Sequence, residues 1–171
     1  MKQIVFVAVL FCSLVGFQSA FAQKKLKPAV PEQYTLESNS DYKKYANDVL
    51  KCIDWLEKAK ISDDDQNYTE AVNFLGEWVS GCPFINYTTN VRIDAAYNGA
   101  PELRVFNKAG WAKSAIESNY HSTNLENYLA GVRCALHAYK SNAAIQRTKS
   151  MDNLIDVEKS GKLKEWVADR L

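Results

Sequence analysis

The chain has 171 residues, of which 21 are Lys or Arg and 20 are Asp or Glu, so its formal net charge is +1. This balance argues against a protein that binds nucleic acid mainly by electrostatics, because phosphate contacts need a basic patch or stripe. The length predicts one domain whose core does not depend on disulfide or metal staples.

The N-terminal residues have the pattern of a secretory signal. Lys2 precedes an apolar stretch from Ile4 to Phe17, and Ala20-Phe21-Ala22 fits a small-x-small cleavage site. Cys12 follows a large residue, which favours ordinary cleavage over lipid attachment. We therefore expect residues 1–22 to be removed, and the product to be periplasmic or secreted with no membrane span left.

Residues 23–40 are predicted to be a flexible tether. They contain three lysines, two of the four prolines and few apolar residues, so they lack an apolar face to bury. The helical domain is predicted to follow over residues 41–171.

Two amphipathic helices are predicted at the start of this domain. The first extends from Asp41 to about Ala59 with Ser40 as its N-cap, because apolar residues recur at helical spacing. The second follows the polar run Ser62 to Asn67 and ends at Gly81 and Pro83. We interpret Gly81 as a residue with left-handed backbone conformation at the helix C-terminus, and Pro83 as a residue whose ring cannot continue the helix.

Residues 84–100 fit neither helical nor strand periodicity for long, and we predict an irregular or short extended segment there. Pro101 suits the first position of a third helix. The apolar stripe of that helix consists of Val105, Ala109, Ala112 and Ile116. Leu103 and Trp111 fall outside the stripe.

A central helix is predicted near residues 123–140. Thr123 and Glu126 have the spacing of a capping box. Behind a conventional apolar face lies a second stripe of small residues, namely Gly131, Cys134, Ala135 and Ala138. Small side chains let helices approach closely, so we expect neighbours on two sides of this helix. A helix ending at Gly161 and a short terminal helix complete an all-α bundle of about five helices.

Three cysteines remain after signal removal, namely Cys52, Cys82 and Cys134, in a compartment where thiols tend to pair. We therefore expect one disulfide and one free thiol. In an antiparallel hairpin of the first two helices, Cys82 lies opposite about residue 43, roughly 13 Å from Cys52 along the helix. A disulfide spans at most about 7 Å between Cα atoms. Cys134 is thus the favoured shared partner, with either Cys82 or Cys52.

Cys134 and His137 are three residues apart, so they would be neighbours on a helix and could serve as a nucleophile and its base or as two zinc ligands. No CxxC, HExxH or second pair at ligand spacing supports either chemistry. We therefore predict no metal and no cofactor. A buried Cys134 beside a solvated His137 is the simpler interpretation.

The acidic run before the second helix begins like a calcium-binding loop, with Asp63, Asp65 and Asn67 at alternate positions. Tyr68 occupies the sixth position, where Gly is needed, and Phe74 the twelfth, where a bidentate Glu is expected. The pattern fails as a calcium site. Acids here would instead favour the positive end of the following helix.

Aromatic residues in and near the irregular segment suggest a recognition surface. The candidate binding residues are Tyr87, Arg92, Tyr97 and Trp111. Asn67 and Asn86 begin glycosylation sequons, which matter only in a host that glycosylates them.

The sequence contains no catalytic constellation, so we expect an exported protein that binds an unknown protein or envelope component. The alternative is a cell-envelope hydrolase, such as a glycosidase, with Glu77 and Glu126 as candidate carboxylates. A third hypothesis is a domain that only bridges larger envelope components.

Overall fold

A computed structural model describes residues 27–62 and 64–171. The predicted signal, residues 1–22, and the start of the predicted tether lie outside the described residues. Within the described part the protein is all-α, as predicted, and has no strand. The helices are α1 (Asn39–Leu56), α2 (Gln66–Gly81), α3 (Val91–Asp94), α4 (Leu103–Glu117), α5 (Asn124–Ser141), α6 (Lys149–Lys159) and α7 (Leu163–Ala168).

Helix α1 begins two residues earlier than predicted, because Ser38 and not Ser40 is its N-cap. The Ser38 hydroxyl accepts a hydrogen bond from the Asp41 amide, and the Asp41 carboxylate accepts one from the Ser38 amide at 2.9 Å. This reciprocal pair is a capping box that satisfies two amides at the helix start.

Helices α1 and α2 form the expected antiparallel hairpin. The Cys52 thiol lies 3.5 Å from the Ala71 carbonyl oxygen, and Gly81 lies against the Tyr42 side chain. The interpretation of Gly81 as a left-handed residue is wrong, since its φ is not positive. A Cβ at this position would overlap the Tyr42 hydroxyl, so the glycine is required by packing.

The segment predicted as irregular or extended is partly helical. Asn90 accepts hydrogen bonds from the amides of Arg92 and Ile93, which starts α3, and a 3-10 turn continues it over Ala95–Tyr97. The described residues contain no extended pair here. A helix of four residues is too short to show an apolar period in the sequence. Its N-cap, Asn90, depends only on neighbouring residues and is the one local sequence signal of this helix.

The predicted third helix corresponds to α4, which starts at Leu103 rather than at Pro101. Leu103 and Trp111, which fall outside the predicted stripe, are both buried. The reason is that α4 packs against α5 on one side and against α1 and α2 on others, so its covered face is wider than one stripe.

The predicted central helix is α5, and its capping box of Thr123 and Glu126 is present. Its small residues bring it close to α4. A Cβ at Gly131 would lie 2.7 Å from the Asn107 carbonyl oxygen, and one at Gly110 would overlap the Ala130 carbonyl oxygen. Glycine is thus needed on both helices where their backbones meet.

The last two helices close the bundle over α5. Gly161, with φ +75°, ends α6 as predicted, and α7 packs against α5 with Leu163 and Val167 buried. The Tyr139 hydroxyl of α5 donates to the Asp152 carboxylate of α6 at 2.9 Å. No helix in the described part is both long and apolar enough to cross a bilayer.

The described end of the predicted tether contacts the bundle. The Tyr34 ring packs edge-on against Phe74 at a centroid distance of 4.9 Å, and its hydroxyl donates to Glu77 at 2.7 Å. The Tyr42 hydroxyl also donates to the Leu36 carbonyl. The division into signal, tether and domain stays a prediction, but these contacts show apolar burial that the composition of the segment did not suggest.

Candidate functional site

A groove of about 810 Å³ lies along α4 and α5 among the described residues, and we call it the α4–α5 groove. Glu57, which follows α1, borders it. The charged, imidazole and thiol side chains along its walls are Lys113, Glu117, His121, Glu126, Arg133, Cys134 and His137.

The floor of the groove is made by the close helix approach described above. Gly110, Ala130 and Cys134 line it, and a Cβ at Gly110 would lie 2.7 Å from the Cys134 Cβ. Small residues therefore leave a depression between two rows of longer polar side chains. The polar edge of α5, predicted only to meet water, forms one wall of this depression.

Cys134 does not have the environment of a nucleophile. Its thiol donates to the Glu57 carboxylate at 3.3 Å, and its side chain is only 8% exposed. Burial and the nearby Glu57 charge raise the pKa of the Cys134 thiol, so the reactive thiolate is suppressed. His137 is exposed and makes no side-chain hydrogen bond to the thiol in the described residues.

Other charged groups of the groove are also held in their usual charge states. The Lys113 ammonium donates to the Asp54 carboxylate at 2.9 Å, and this hydrogen bond raises the pKa of Lys113. Hydrogen bonds from the amide and hydroxyl of Thr123 lower the pKa of Glu126. Both shifts move the pKa away from neutrality.

Two charged side chains in the groove have no hydrogen-bonded partner. Glu117 on α4 and Arg133 on α5 are exposed, and within the described residues neither side chain makes a hydrogen bond or an ion pair, although the charge of Glu117 interacts with that of Lys113. They can therefore meet opposite charges on a partner without first breaking a hydrogen bond.

The four predicted binding residues do not form one exposed patch. Tyr97 and Trp111 are 0% and 1% exposed, so neither presents its side chain to a partner in this structure. The Tyr97 hydroxyl accepts a hydrogen bond from Asn107 at 2.9 Å, and the Trp111 ring packs edge-on against the partly buried Tyr87. Arg92 lies at the surface and donates to the Asp169 carbonyl at 3.3 Å.

The two carboxylates considered for a glycosidase do not share a pocket. Glu77 is on α2 and accepts the Tyr34 hydroxyl, whereas Glu126 lines the groove and belongs to the α5 capping box. A glycosidase needs an acid in a pocket that raises its pKa, and the pKa of Glu126 is lowered.

No group of three or more His, Cys, Asp or Glu in the described part is arranged to hold a metal ion. Asp65 is the N-cap of α2 and accepts from the Asn67 amide at 3.1 Å, which gives this acid a structural role at the helix start. Asp63 lies outside the described residues.

The predicted disulfide is absent, and Cys52, Cys82 and Cys134 are all free and buried. The helices place them in separate surroundings. Cys52 faces the Ala71 carbonyl of α2, and Cys134 faces Glu57. The prediction relied on the chemistry of the compartment, while the packing of the helices decides which thiols can meet.

Comparisons of the chain with protein families, with curated proteins and with solved structures yield no match.

Proposed function

We propose that this protein is exported and acts by binding, and that its α4–α5 groove holds a short polypeptide segment of mixed charge. The observation that carries the proposal is that exposed side chains of opposite charge, Glu117 on α4 and Arg133 on α5, line the groove without a hydrogen bond or ion pair among the described residues. The pKa values of Lys113 and Cys134 are raised and that of Glu126 is lowered, so each of these three groups keeps its usual charge at neutral pH. General acid–base catalysis favours the opposite, a pKa close to the working pH.

Fixed charges of both signs suit recognition of a partner that also carries both signs. Glu117 would meet a basic residue and Arg133 an acidic one. A nucleic acid fits less well, because the groove mixes charges of both signs and its lining contains no Phe, Tyr or Trp.

The helix register sets the spacing of charges in such a segment. Gly110 lies against Ala130 and Cys134 in the antiparallel α4–α5 pair, so its level on α5 is between these two residues, while Glu117 lies two turns further along α4. With Gly110 level with residues 130 to 132, Glu117 and Arg133 are separated along the helix axes by about eight to ten helical steps, or roughly 12 to 15 Å at the helical rise. An extended peptide covers this distance in about four or five residues.

The test uses a display library of peptides of about seven residues, which is enough to cover this span. Peptides enriched on the full chain should carry Lys or Arg four or five positions from Asp or Glu. Glu117→Lys and Arg133→Glu should each weaken the binding of an enriched peptide about tenfold, the effect of roughly 1.4 kcal/mol.

Matched controls reverse exposed charges outside the groove. Glu165→Lys in α7 and Lys149→Glu at the start of α6 should leave peptide binding unchanged. The proposal fails if no peptide is enriched, or if groove and control variants bind the enriched peptides equally. Hydrolysis of purified cell-wall material that is lost in Glu117→Gln would instead favour the hydrolase.

A further inference from the structure

A second cavity, of about 220 Å³, lies between α2, α3, α4 and the loop before α3, and we call it the α2–α4 pocket. Its lining is of two kinds. Asp94, Arg104, Lys108, Tyr87 and Thr89 supply charged groups and hydroxyls, while the apolar wall consists of Val72, Leu75 and Val105.

The charged groups of this pocket do not pair with one another. Among the described residues the Asp94 carboxylate makes no hydrogen bond or ion pair, although its charge interacts with that of Arg104. Arg104 makes one long contact, 3.5 Å to the Asn98 side chain, and the Lys108 ammonium lies 5.8 Å from the centre of the Tyr87 ring. One acidic and two basic side chains thus line the pocket without an ion pair among them.

Leaving the Asp94 charge in this position has a cost. The residue is partly buried, and this burial raises the pKa of its carboxyl group despite the nearby Arg104. A partly desolvated carboxylate without a hydrogen-bonded partner is unfavourable, and a ligand ammonium would supply that partner.

We propose that the α2–α4 pocket binds a small zwitterion with an apolar body, of the class of free aliphatic α-amino acids. The ligand ammonium binds Asp94, its carboxylate binds Arg104 and Lys108, and its side chain packs on Val72 and Leu75. Arg and Lys are suited to carboxylates, the former through two parallel hydrogen bonds. This proposal is independent of the α4–α5 groove.

The size of the cavity agrees with such a ligand. A volume of about 220 Å³ equals that of roughly seven liquid water molecules. This is below the range of about 300–1,000 Å³ typical of sites for larger ligands. A molecule of the size of leucine is therefore compatible with the pocket, whereas a nucleotide is too large.

Three probes of similar shape test the assignment by calorimetric titration of the full chain. Leucine carries both charges, leucinamide lacks the carboxylate, and 4-methylpentanoate lacks the ammonium. We expect leucine to bind saturably at millimolar concentration, and each of the other two to bind about tenfold more weakly, because one charged contact is lost.

Variants assign each charge to its residue. Asp94→Asn should weaken the binding of leucine about tenfold but should not weaken that of 4-methylpentanoate, since that probe has no ammonium. Arg104→Gln should weaken the binding of leucine but not that of leucinamide, which has no carboxylate. Asp156→Asn makes the same change at an exposed site on α6 that does not line the pocket, and it should have no effect.

Circular dichroism verifies that each variant is folded. If Asp94→Asn unfolds, Lys108→Gln provides the second variant, with the same expected pattern as Arg104→Gln. The proposal is overturned if leucine shows no saturable binding to the wild-type protein. It is also overturned if folded variants of the pocket bind leucine as tightly as Asp156→Asn does.

Discussion

Two glycines, Gly110 on α4 and Gly131 on α5, determine how closely these two helices approach each other. At Gly110 the obstructing atoms would belong to the α5 backbone at Ala130, and at Gly131 to the α4 backbone at Asn107. Backbone atoms cannot rotate away as the end of a long side chain can. The floor of the α4–α5 groove therefore depends on the absence of two Cβ atoms.

We predict that Gly110→Ala destabilises the protein. Overpacking against a backbone costs about 1–3 kcal/mol, and we expect the upper end because helix α5 would have to move as a unit. The intrinsic helix preference of alanine offsets only about 1 kcal/mol of this cost. Urea unfolding should therefore show a free energy of unfolding lowered by about 2 kcal/mol.

Gly76→Ala is the matched control, because it makes the same change inside a helix where space is open. The nearest atom to an added Cβ is the mobile Lys108 ammonium, at 4.0 Å. This variant should be more stable than the wild-type protein by about 0.5–1 kcal/mol. Equal stabilities of the two alanine variants would show that α4 and α5 do not meet at Gly110.

At the scale of elements, the helix caps explain where helices begin better than the apolar periodicity does. Both Ser38 and Ser40 precede the apolar stripe of α1, and the stripe alone does not distinguish them. The reciprocal hydrogen bonds with Asp41 select Ser38. A Ser followed three residues later by an acid is the signature that identifies this start in the sequence.

We predict that Ser38→Ala lowers the free energy of unfolding by about 1 kcal/mol, the typical value of an N-cap. Ser40→Ala is the control. Its hydroxyl contacts that of Ser38 at 2.7 Å but makes no capping bond to an amide, so the expected loss is much smaller. Equal losses in urea unfolding would contradict this assignment of the cap.

The Ser38 cap should also depend on pH. Hydrogen bonds from Ser38 lower the pKa of Asp41 from its usual 3.8, so the folded state favours the ionised acid. This stabilisation is present above the unfolded pKa and is lost as the pH falls through the lower folded pKa. The stability difference between wild type and Ser38→Ala should therefore shrink as the pH falls from about 5 to about 3.

The long helices and α5 in particular could be predicted from the sequence, because the apolar period and, for α5, the capping box of Thr123 and Glu126 indicate the same helix. Helix α3 could not, since four residues carry no period. The α4–α5 groove could not be predicted either, because its shape depends on the register of α4 against α5. That register is set by packing between residues that are distant in sequence. The same limit explains Tyr97 and Trp111, whose burial depends on neighbours supplied by other helices.

At the scale of the whole molecule, the bundle is held together without covalent links between its helices. Residues from all seven helices, together with the connecting segments, enter one buried cluster that includes all three cysteines. Free cysteines buried in this way act as small apolar side chains. Burial also raises the pKa of each thiol, that of Cys52 to about 12, which limits oxidation of the folded protein.

We therefore predict that, in a chain without the predicted signal, Cys52, Cys82 and Cys134 all react with a thiol reagent in denaturant without prior reduction. In the native protein the same reagent should react slowly, because Cys52, Cys82 and Cys134 become accessible only when the structure opens. A parallel sample treated first with reductant controls for disulfides, and it should give the same stoichiometry. If one thiol reacts without reductant and three react after reduction, the protein contains the disulfide that the sequence predicted. In that case a covalent bond would join helices that are held together only by packing in this structure.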